Sequence, residues 1–351
     1  MKILILSRSF YPSLGGSETN AEILAREFHH LGHKVKIITQ TIGSDLDVNG
    51  LIFPFEVIRI PKLGQMISLI KWCDVYLHNG ISLRGLWPLI LFRRPWVVRH
   101  QVWLRTMDGS ITKTGGNSNS LTVKFKHWIT QFATSISISE SIADHLQSPS
   151  TVIPNPYRDN LFRIIPDINK TKELVFLGRL VSEKGVEMLL QALAQLADSG
   201  LRTKLTIVGD GPDKLSLEKK SEELRVNHQV IFIGSKVGEE LVSILNEHQI
   251  MVIPSLYDEP FGVVALEGIA CGCVVVGSEG GGLKDAIADC GVTFPNGNVQ
   301  ALTEALLDLL QDQDQLSKYR ANAPKHLLRH QKSAIAKAYL EVLEITVNSS
   351  R

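Results

Sequence analysis

At 351 residues the chain is long enough for about two domains, each able to bury its own core, which argues against a single small binding module. Hydrophobic residues at 44% and charged residues at 21%, with 27 Gly and 14 Pro, exclude collagenous and wholly disordered chains. The formal net charge of +1 hides a split: residues 1–165 carry 18 Lys and Arg against 11 Asp and Glu, and residues 166–351 carry 19 against 25.

In chain order, the apolar run Ile3 to Leu6 reads as a strand, followed by a turn-rich segment with Pro12, Gly15 and Gly16. The amphipathic stretch Glu18 to Leu31 reads as a helix and Val35 to Thr39 as a second strand. Apolar runs recur at Val75 to His78, Pro95 to His100 and, more weakly, Thr134 to Ser139, which is the spacing of a parallel sheet with crossover helices. Polar residues crowd Met107 to Ser120, so a long loop is expected after the His100 strand.

Beyond Ile153-Pro154-Asn155-Pro156 the chain reads as irregular until Thr171, and a domain boundary is expected near 165–172. The alternation then restarts. Strands are predicted at Glu173 to Leu177, Lys204 to Val208, Val230 to Ile233, Ile250 to Pro254 and Val274 to Gly277. Helices are predicted at Val186 to Ala197, Asp213 to Leu224, Gly262 to Cys271, Ala301 to Leu310 and Ala334 to Ile345. The reading is α/β, with two tandem Rossmann-like doubly wound domains facing across a cleft: residues 1–168, then 169–332, with a last helix at about 333–351 able to pack back on the first domain.

Four cysteines form no disulfide framework and no CxxC pair, so a reducing cytosol fits best. Cys271-Gly-Cys273 lies in the apolar run IACGCVVV and reads as two small core residues. Ile3 to Leu6 is too short for a signal-peptide core, and no segment approaches the ~20 apolar residues of a membrane span. Five arginines between Arg84 and Arg105, close to Leu86 to Phe92 and Trp96, suit either an anionic membrane surface or an acidic acceptor, or simply a solvated face. No nucleic acid partner is expected.

Ligands of doubly wound sheets bind at the carboxyl ends of strands, which selects three motifs. Gly15-Gly16-Ser17-Glu18 enters a helix and offers backbone N–H groups to an anion, or is a glycine turn with Ser17 as N-cap. In Gly178-Arg179-Leu180-Val181-Ser182-Glu183-Lys184-Gly185, a strand end delivers two cations: Arg179 for bidentate phosphate contact and Lys184 as a compact charge, the alternative being solvated surface. In Tyr257-Asp258-Glu259-Pro260-Phe261-Gly262 and the following Val263 to Glu267, Pro260 is placed as first helical residue. Glu259 then stands at the mouth, as a ligand for sugar hydroxyls or a helix cap, and Glu267 further down, able to accept from ribose hydroxyls.

These residues resemble the retaining glycosyltransferases of the large family-four group, which have the two-domain GT-B fold, and the resemblance covers most of the chain. Glu259 and Glu267, flanked by PFG and LE-xxA-xG, match that family's glutamate pair. Arg179 and Lys184 match its GR…KG cations, and Gly15, Gly16 and Glu18 its N-terminal glycine loop. Val208-Gly209-Asp210-Gly211-Pro212, Phe232-x-Gly234 and Gly280-Gly281-Gly282 fall at matching intervals. The resemblance implies a UDP-sugar donor, with UDP-glucose as first guess, held by the C-terminal domain, and a saccharide or lipid-linked saccharide acceptor at the N-terminal domain.

It further implies that Arg179 and Lys184 hold the diphosphate, Glu267 the ribose and Glu259 the hexose, with Gly16 meeting the diphosphate from across the cleft. Lys236 would lie near the base, His100 beside the donor sugar, and Gly209, Phe261, Gly262 and Val263 along the donor site. Arg179, Lys184, Glu259 and His100 are then the catalytic set, with no metal and no cofactor. The sequence departs from the family pattern at Pro156, Val274 and Lys284-Asp285. Asp45-Leu46-Asp47 and Asp312-Gln313-Asp314 read as a solvated loop or helix end and not as metal-binding DxD motifs.

The expected activity is a retaining, metal-independent hexosyl transfer in polysaccharide or glycolipid synthesis, in the cytoplasm or at the inner face of a membrane. Rival readings are a UDP-sugar epimerase on the same fold and a non-catalytic nucleotide-sugar-binding scaffold. An NAD-dependent dehydrogenase lacks its G-x-G-x-x-G after both first strands.

Overall fold

The structure is a computed structural model, and it describes residues 1–13, 15–43, 52–104 and 121–350. It divides into two compact units: residues 1–156 with 332–351, and residues 157–331. Asp45 to Asp47 and the predicted loop Met107 to Ser120 lie outside the described residues.

The first unit runs β1 (Lys2–Ser7), α1 (Gly16–His30), β2 (Lys34–Thr39), β3 (Glu56–Arg59), α2 (Leu63–Trp72), β4 (Val75–Asn79), α3 (Trp87–Leu91), β5 (Trp96–His100), α4 (Leu121–Thr130), β6 (Thr134–Ser137), α5 (Glu140–His145) and β7 (Ser150–Val152). The strands form one parallel sheet in the order β3-β2-β1-β4-β5-β6-β7. Such a sheet is buried on both faces, which explains the unbroken apolar runs of β1 and β5.

The second unit runs β8 (Lys172–Leu177), α6 (Val186–Asp198), β9 (Leu205–Val208), α7 (Lys214–Glu223), β10 (Val230–Phe232), α8 (Gly238–Glu247), β11 (His248–Ile253), α9 (Val263–Ala270), β12 (Val274–Ser278), α10 (Leu283–Ile287), β13 (Gly291–Phe294), α11 (Val299–Gln311) and α12 (Gln313–Leu328). Its parallel sheet has the order β10-β9-β8-β11-β12-β13. In both units the strand order reverses beside the first strand, at β1/β4 and at β8/β11, and a crevice opens at the carboxyl ends there.

The chain closes with α13 (Lys332–Ser349), which returns to the first unit. Its Ile335, Ala336, Tyr339, Leu340, Leu343 and Val347 share a core with Leu24 and Phe28 of α1 and with Ile3, Ile5 and Val97 of the sheet.

Three expectations need correction. The segment 157–171, expected as a linker with the boundary near 168, packs into the second unit. Tyr157 and Phe162 are buried, the Ile165 amide donates to Asn246 Oδ1 (2.8 Å), and Lys170 Nζ donates to the carbonyls of Asn246, His248 and Cys271. Its proline and polar residues serve a packed, irregular strap.

Of the five arginines expected to share a face, Arg84 and Arg93 are exposed, Arg105 lies outside the described residues, and Arg99 is withdrawn from the surface. Arg99 is fully buried over the Tyr339 ring, donating to Asn79 Oδ1 (3.1 Å) and Asn155 Oδ1 (2.5 Å). Arg94 caps carbonyls of Ile70 and Lys71.

Helix α9 begins at Val263, not at Pro260, because Gly262 before it is in the left-handed region (φ 96°) and acts as N-cap. Asp312 is likewise a cap, its carboxylate accepting from the Gln315 amide at the start of α12.

All five tryptophans, at 72, 87, 96, 103 and 128, belong to the first unit, so tryptophan fluorescence reports on that unit alone. Leu343→Ala, at a fully buried position of α13, is expected to lower the stability seen by fluorescence in urea by about 2–5 kcal/mol, the range for a truncated core leucine. An unchanged fluorescence midpoint would mean that α13 is not part of that core.

Candidate active site

In the second unit, the loop after β8 and the loop after β11 lie side by side because their strands are neighbours. The Leu256 amide donates to Glu183 O (2.9 Å), joining the two loops. Gly185 is in the left-handed region (φ 68°), and a Cβ there would lie 1.9 Å from Pro254 O, so only glycine permits this approach. From the other side, the Gly282 amide donates to Glu259 O (2.7 Å) and Gly281 bridges to Glu259. A Cβ on Gly281 would meet that same Glu259 carbonyl at 2.1 Å.

This confluence of loops fixes Glu259. Its side chain is 8% exposed and receives three hydrogen bonds: Lys184 Nζ donates to Oε1 (2.6 Å), Ser255 Oγ to Oε1 (2.7 Å) and Tyr257 OH to Oε2 (2.6 Å). Lys184 also donates to Tyr257 OH (3.2 Å) and sits 5.1 Å from the centre of its ring. The sequence reading gave Lys184 to phosphate and Glu259 to a hexose as separate tasks; the fold pairs them with each other. Ser255 and Tyr257 were not singled out, although their places four and two residues before Glu259 on a strand-end loop are the signal that could have marked them.

Arg179 is exposed on the same β8 loop, and its guanidinium has no partner among the described residues. Glu267 lies a turn into α9, where Arg158 Nη2 approaches its Oε1 at 3.4 Å. Burial pushes the Glu267 carboxyl up to about 7, with Arg158 pulling the other way. Arg158 belongs to the supposed linker, so nothing in the sequence pointed to it.

The remaining donor-site candidates of this unit are scattered around these residues. Gly209 follows β9, with its amide donating to Gly234 O (2.9 Å). Lys236, before α8, is paired with Glu240 in the first turn of that helix (2.5 Å). Phe261 is buried with its ring 5.7 Å from that of His330, and Val263 is the first residue of α9. Cys271 and Cys273 are buried, as their apolar run suggested, and Cys273 Sγ donates to Leu245 O (3.2 Å). Among the described residues no group of three or more His, Cys, Asp or Glu is arranged to hold a metal ion.

In the first unit, Gly15 is the N-cap of α1, so the alternative with Ser17 as cap is wrong: Ser17 is already helical. A Cβ on Gly16 would meet nothing within 4 Å, whereas one on the N-cap Gly15 would meet the Glu18 carboxylate, so the amino end of α1 already has an acid of its own beside it. Beside it, Asn79 at the end of β4 donates to Ser7 Oγ (3.0 Å) and Ser17 O (3.3 Å). His100 ends β5, buried, 3.2 Å from Ser135 Oγ. Burial, with His127 and His145 nearby, pushes its imidazole down to about 4, so the ring is neutral at pH 7.

Residues 158–326 match the family described as Glycosyl transferases group 1. The chain is 27% identical over 332 residues to an uncharacterized glycosyltransferase of Methanocaldococcus jannaschii, covering 82% of this chain and 83% of that one. It is 34% identical over 184 residues to a D-inositol 3-phosphate glycosyltransferase of Corynebacterium jeikeium, a match covering 50% of this chain and only 44% of that one.

Among solved structures, sucrose-phosphate synthase of Thermosynechococcus elongatus superimposes with a TM-score of 0.78 at 20% identity, covering 99% of each chain. HepE of Anabaena, solved in complex with UDP-glucose, gives 0.77 at 20% identity, covering 98% of this chain and 100% of that one. The chain has the two-domain GT-B fold of these glycosyltransferases, and its second unit carries the group 1 match.

A carboxyl group raised by folding binds more protons folded than unfolded, so its contribution is full below the ordinary value of 4.5 and is lost as pH rises through about 7. Glu267→Gln lacks this loss. The urea midpoint of Glu267→Gln relative to wild type is expected to rise between pH 5 and pH 8. A difference that stays flat, or falls, across that window would contradict the raised carboxyl.

Proposed function

We propose that the chain transfers a hexose from a UDP-sugar, with UDP-glucose the first donor to try, to a saccharide or lipid-linked saccharide acceptor, with retention of anomeric configuration. The observation that carries the reading is the pairing of Lys184 with the buried Glu259 at the strand-order reversal of the second unit, with Arg179 on the same loop holding no partner among the described residues. Breaking the C1–O bond to a diphosphate puts negative charge on the leaving group, and fixed cations stabilise that charge without rearranging during the reaction.

Arg179 is exposed and holds no partner among the described residues, and Lys184 is the compact charge on the same loop. Glu259, its carboxylate oriented by Ser255 and Tyr257, accepts from hexose hydroxyls, and Glu267 accepts from the ribose hydroxyls. The proposed step is attack from the face the diphosphate leaves. The acceptor oxygen bonds to C1 as the C1–O bond to phosphate breaks, and the leaving phosphate oxygen takes the acceptor proton. UDP departs with that proton, so the step requires neither a protein base nor a metal. Gly15 and Gly16, His100 and the acceptor contacts of the first unit complete the proposal. The UDP-glucose complex of the structurally similar HepE supports the choice of first donor.

The test is UDP release from a panel of UDP-sugars, with and without acceptor and with and without EDTA. Acceptor-dependent release that survives EDTA is expected; release without acceptor-linked product, or release only with added Mg²⁺ or Mn²⁺, would overturn the reading. Arg179→Ala is expected to lower turnover by about 10² to 10³, the scale for losing one preorganised charge stabiliser. Because Arg179 is exposed, with no partner among the described residues, the variant's melting temperature should stay that of wild type. A loss of activity below about threefold would remove Arg179 from the site.

A further inference from the structure

We propose that the α2–α3–α4 layer of the first unit docks on an anionic phospholipid surface. In this sheet the chain moves one way from β1 to β3 and the other way from β3 to β7. Right-handed crossovers therefore put α1 on one face and α2, α3, α4 and the short α5 on the other. The inner sides of α2, α3 and α4 share one core, in which Met66, Leu69, Ile70 and Trp96 are buried and Phe92 and Ile129 pack against them.

The outer sides of helices covering such a sheet are ordinarily polar. Here they are not. Leu121, Phe125, Trp128 and Phe132 recur at helical spacing along α4 and just past its end, and all are exposed, from 46% at Phe125 to 81% at Leu121. The rings follow one another outside the core, Phe125 to Trp128 at 5.6 Å and Trp128 to Phe132 at 5.2 Å. On α3, Ile90 and Leu91 are 83% and 63% exposed. Apolar residues gathered in this way form a patch, unlike the scattered exposure normal for a surface.

The three helices α2, α3 and α4 together carry charge of one sign. Helix α2, residues 75–104 and residues 121–139 contain no Asp or Glu, while Lys62, Lys71, Arg84, Arg93 and Lys124 are exposed. Aromatic and aliphatic side chains set among exposed cations, with acids only at the margins in Asp74 and in Glu140 and Asp144 of α5, have the composition of a helix lying in a lipid interface. The apolar groups sink to the acyl boundary, and each cation gains from the anionic headgroups.

A second copy of the chain fits worse, since a two-fold contact on this face would set cations against cations. No helix of the described residues is long and apolar enough to cross a membrane, so the contact is peripheral. This surface is centred on α4, not on the arginine run that the sequence suggested, whose Arg99 is buried.

The full chain is to be sedimented with phosphatidylcholine vesicles, with and without roughly one third phosphatidylglycerol. Binding to the anionic vesicles only, weakened by added salt, is expected. Trp128→Ser combined with Phe132→Ser should reduce that binding by about tenfold or more, with an unchanged melting temperature, because both side chains lie outside the core. Lys124→Glu should weaken it at low salt.

Equal sedimentation with both vesicle types, none with either, or full binding by the double variant would overturn the proposal. So would a wild-type dimer in sedimentation equilibrium that the double variant breaks, which would give the face to a second copy. UDP release is not read in any arm, so the outcome is independent of the donor-site proposal.

Discussion

A carboxylate withdrawn from water costs several kcal/mol unless its oxygens are bonded, and Glu259 meets that demand only where two loops meet. Lys184 comes from the loop after β8, Ser255 and Tyr257 from the loop after β11, and the backbone of Glu259 is tied to the glycine turn after β12. Three separate connections must therefore stand in register before the charge is satisfied. The strand order supplies the first condition by making β8 and β11 neighbours. Gly185 and Gly281 supply the second, by letting backbones approach where a side chain would collide with a carbonyl.

The first unit solves a related problem with the opposite sign. Beside its own reversal between β1 and β4, the buried Arg99 of β5 grips Asn79 and Asn155, and Asn79 in turn holds Ser7 and Ser17 at the entrance to α1. Each sheet thus organises the carboxyl ends of its central strands around one buried charged side chain. Arg99 also lies over Tyr339 of α13, which connects the closing helix to that end of the sheet. Each unit thus gathers polar side chains at the carboxyl ends of its strands, and the second unit, which matches the group 1 glycosyltransferases, also places Arg179 and Lys184 there.

Much of this was legible in the sequence, for identifiable reasons. The continuous apolar runs of β1, β5, β8 and β11 announced parallel strands buried on both faces, and the motifs at their ends named Arg179, Lys184, Glu259 and Glu267. Short or polar elements left little trace. β3 and β7 have only four and three residues, and α12 buries a single side chain, Leu316, over 16 residues, so its apolar periodicity is faint.

The partners of the charged residues were harder still. Arg158 meets Glu267 from a segment whose prolines and polar residues looked like a linker, and Arg99, surrounded by other arginines in sequence, reads as surface although it is fully buried. Spacing shows which residues can share an element, but not which loop of another strand will meet them.

The most direct measurement is a crystal structure of the chain with a UDP-sugar bound. The account predicts the diphosphate against Arg179 and Lys184 at the carboxyl ends of β8 and β11, with the ribose at Glu267 and the hexose at Glu259. A diphosphate bound away from those strand ends, with the Lys184–Glu259 pair undisturbed and Arg179 still in solvent, would contradict it.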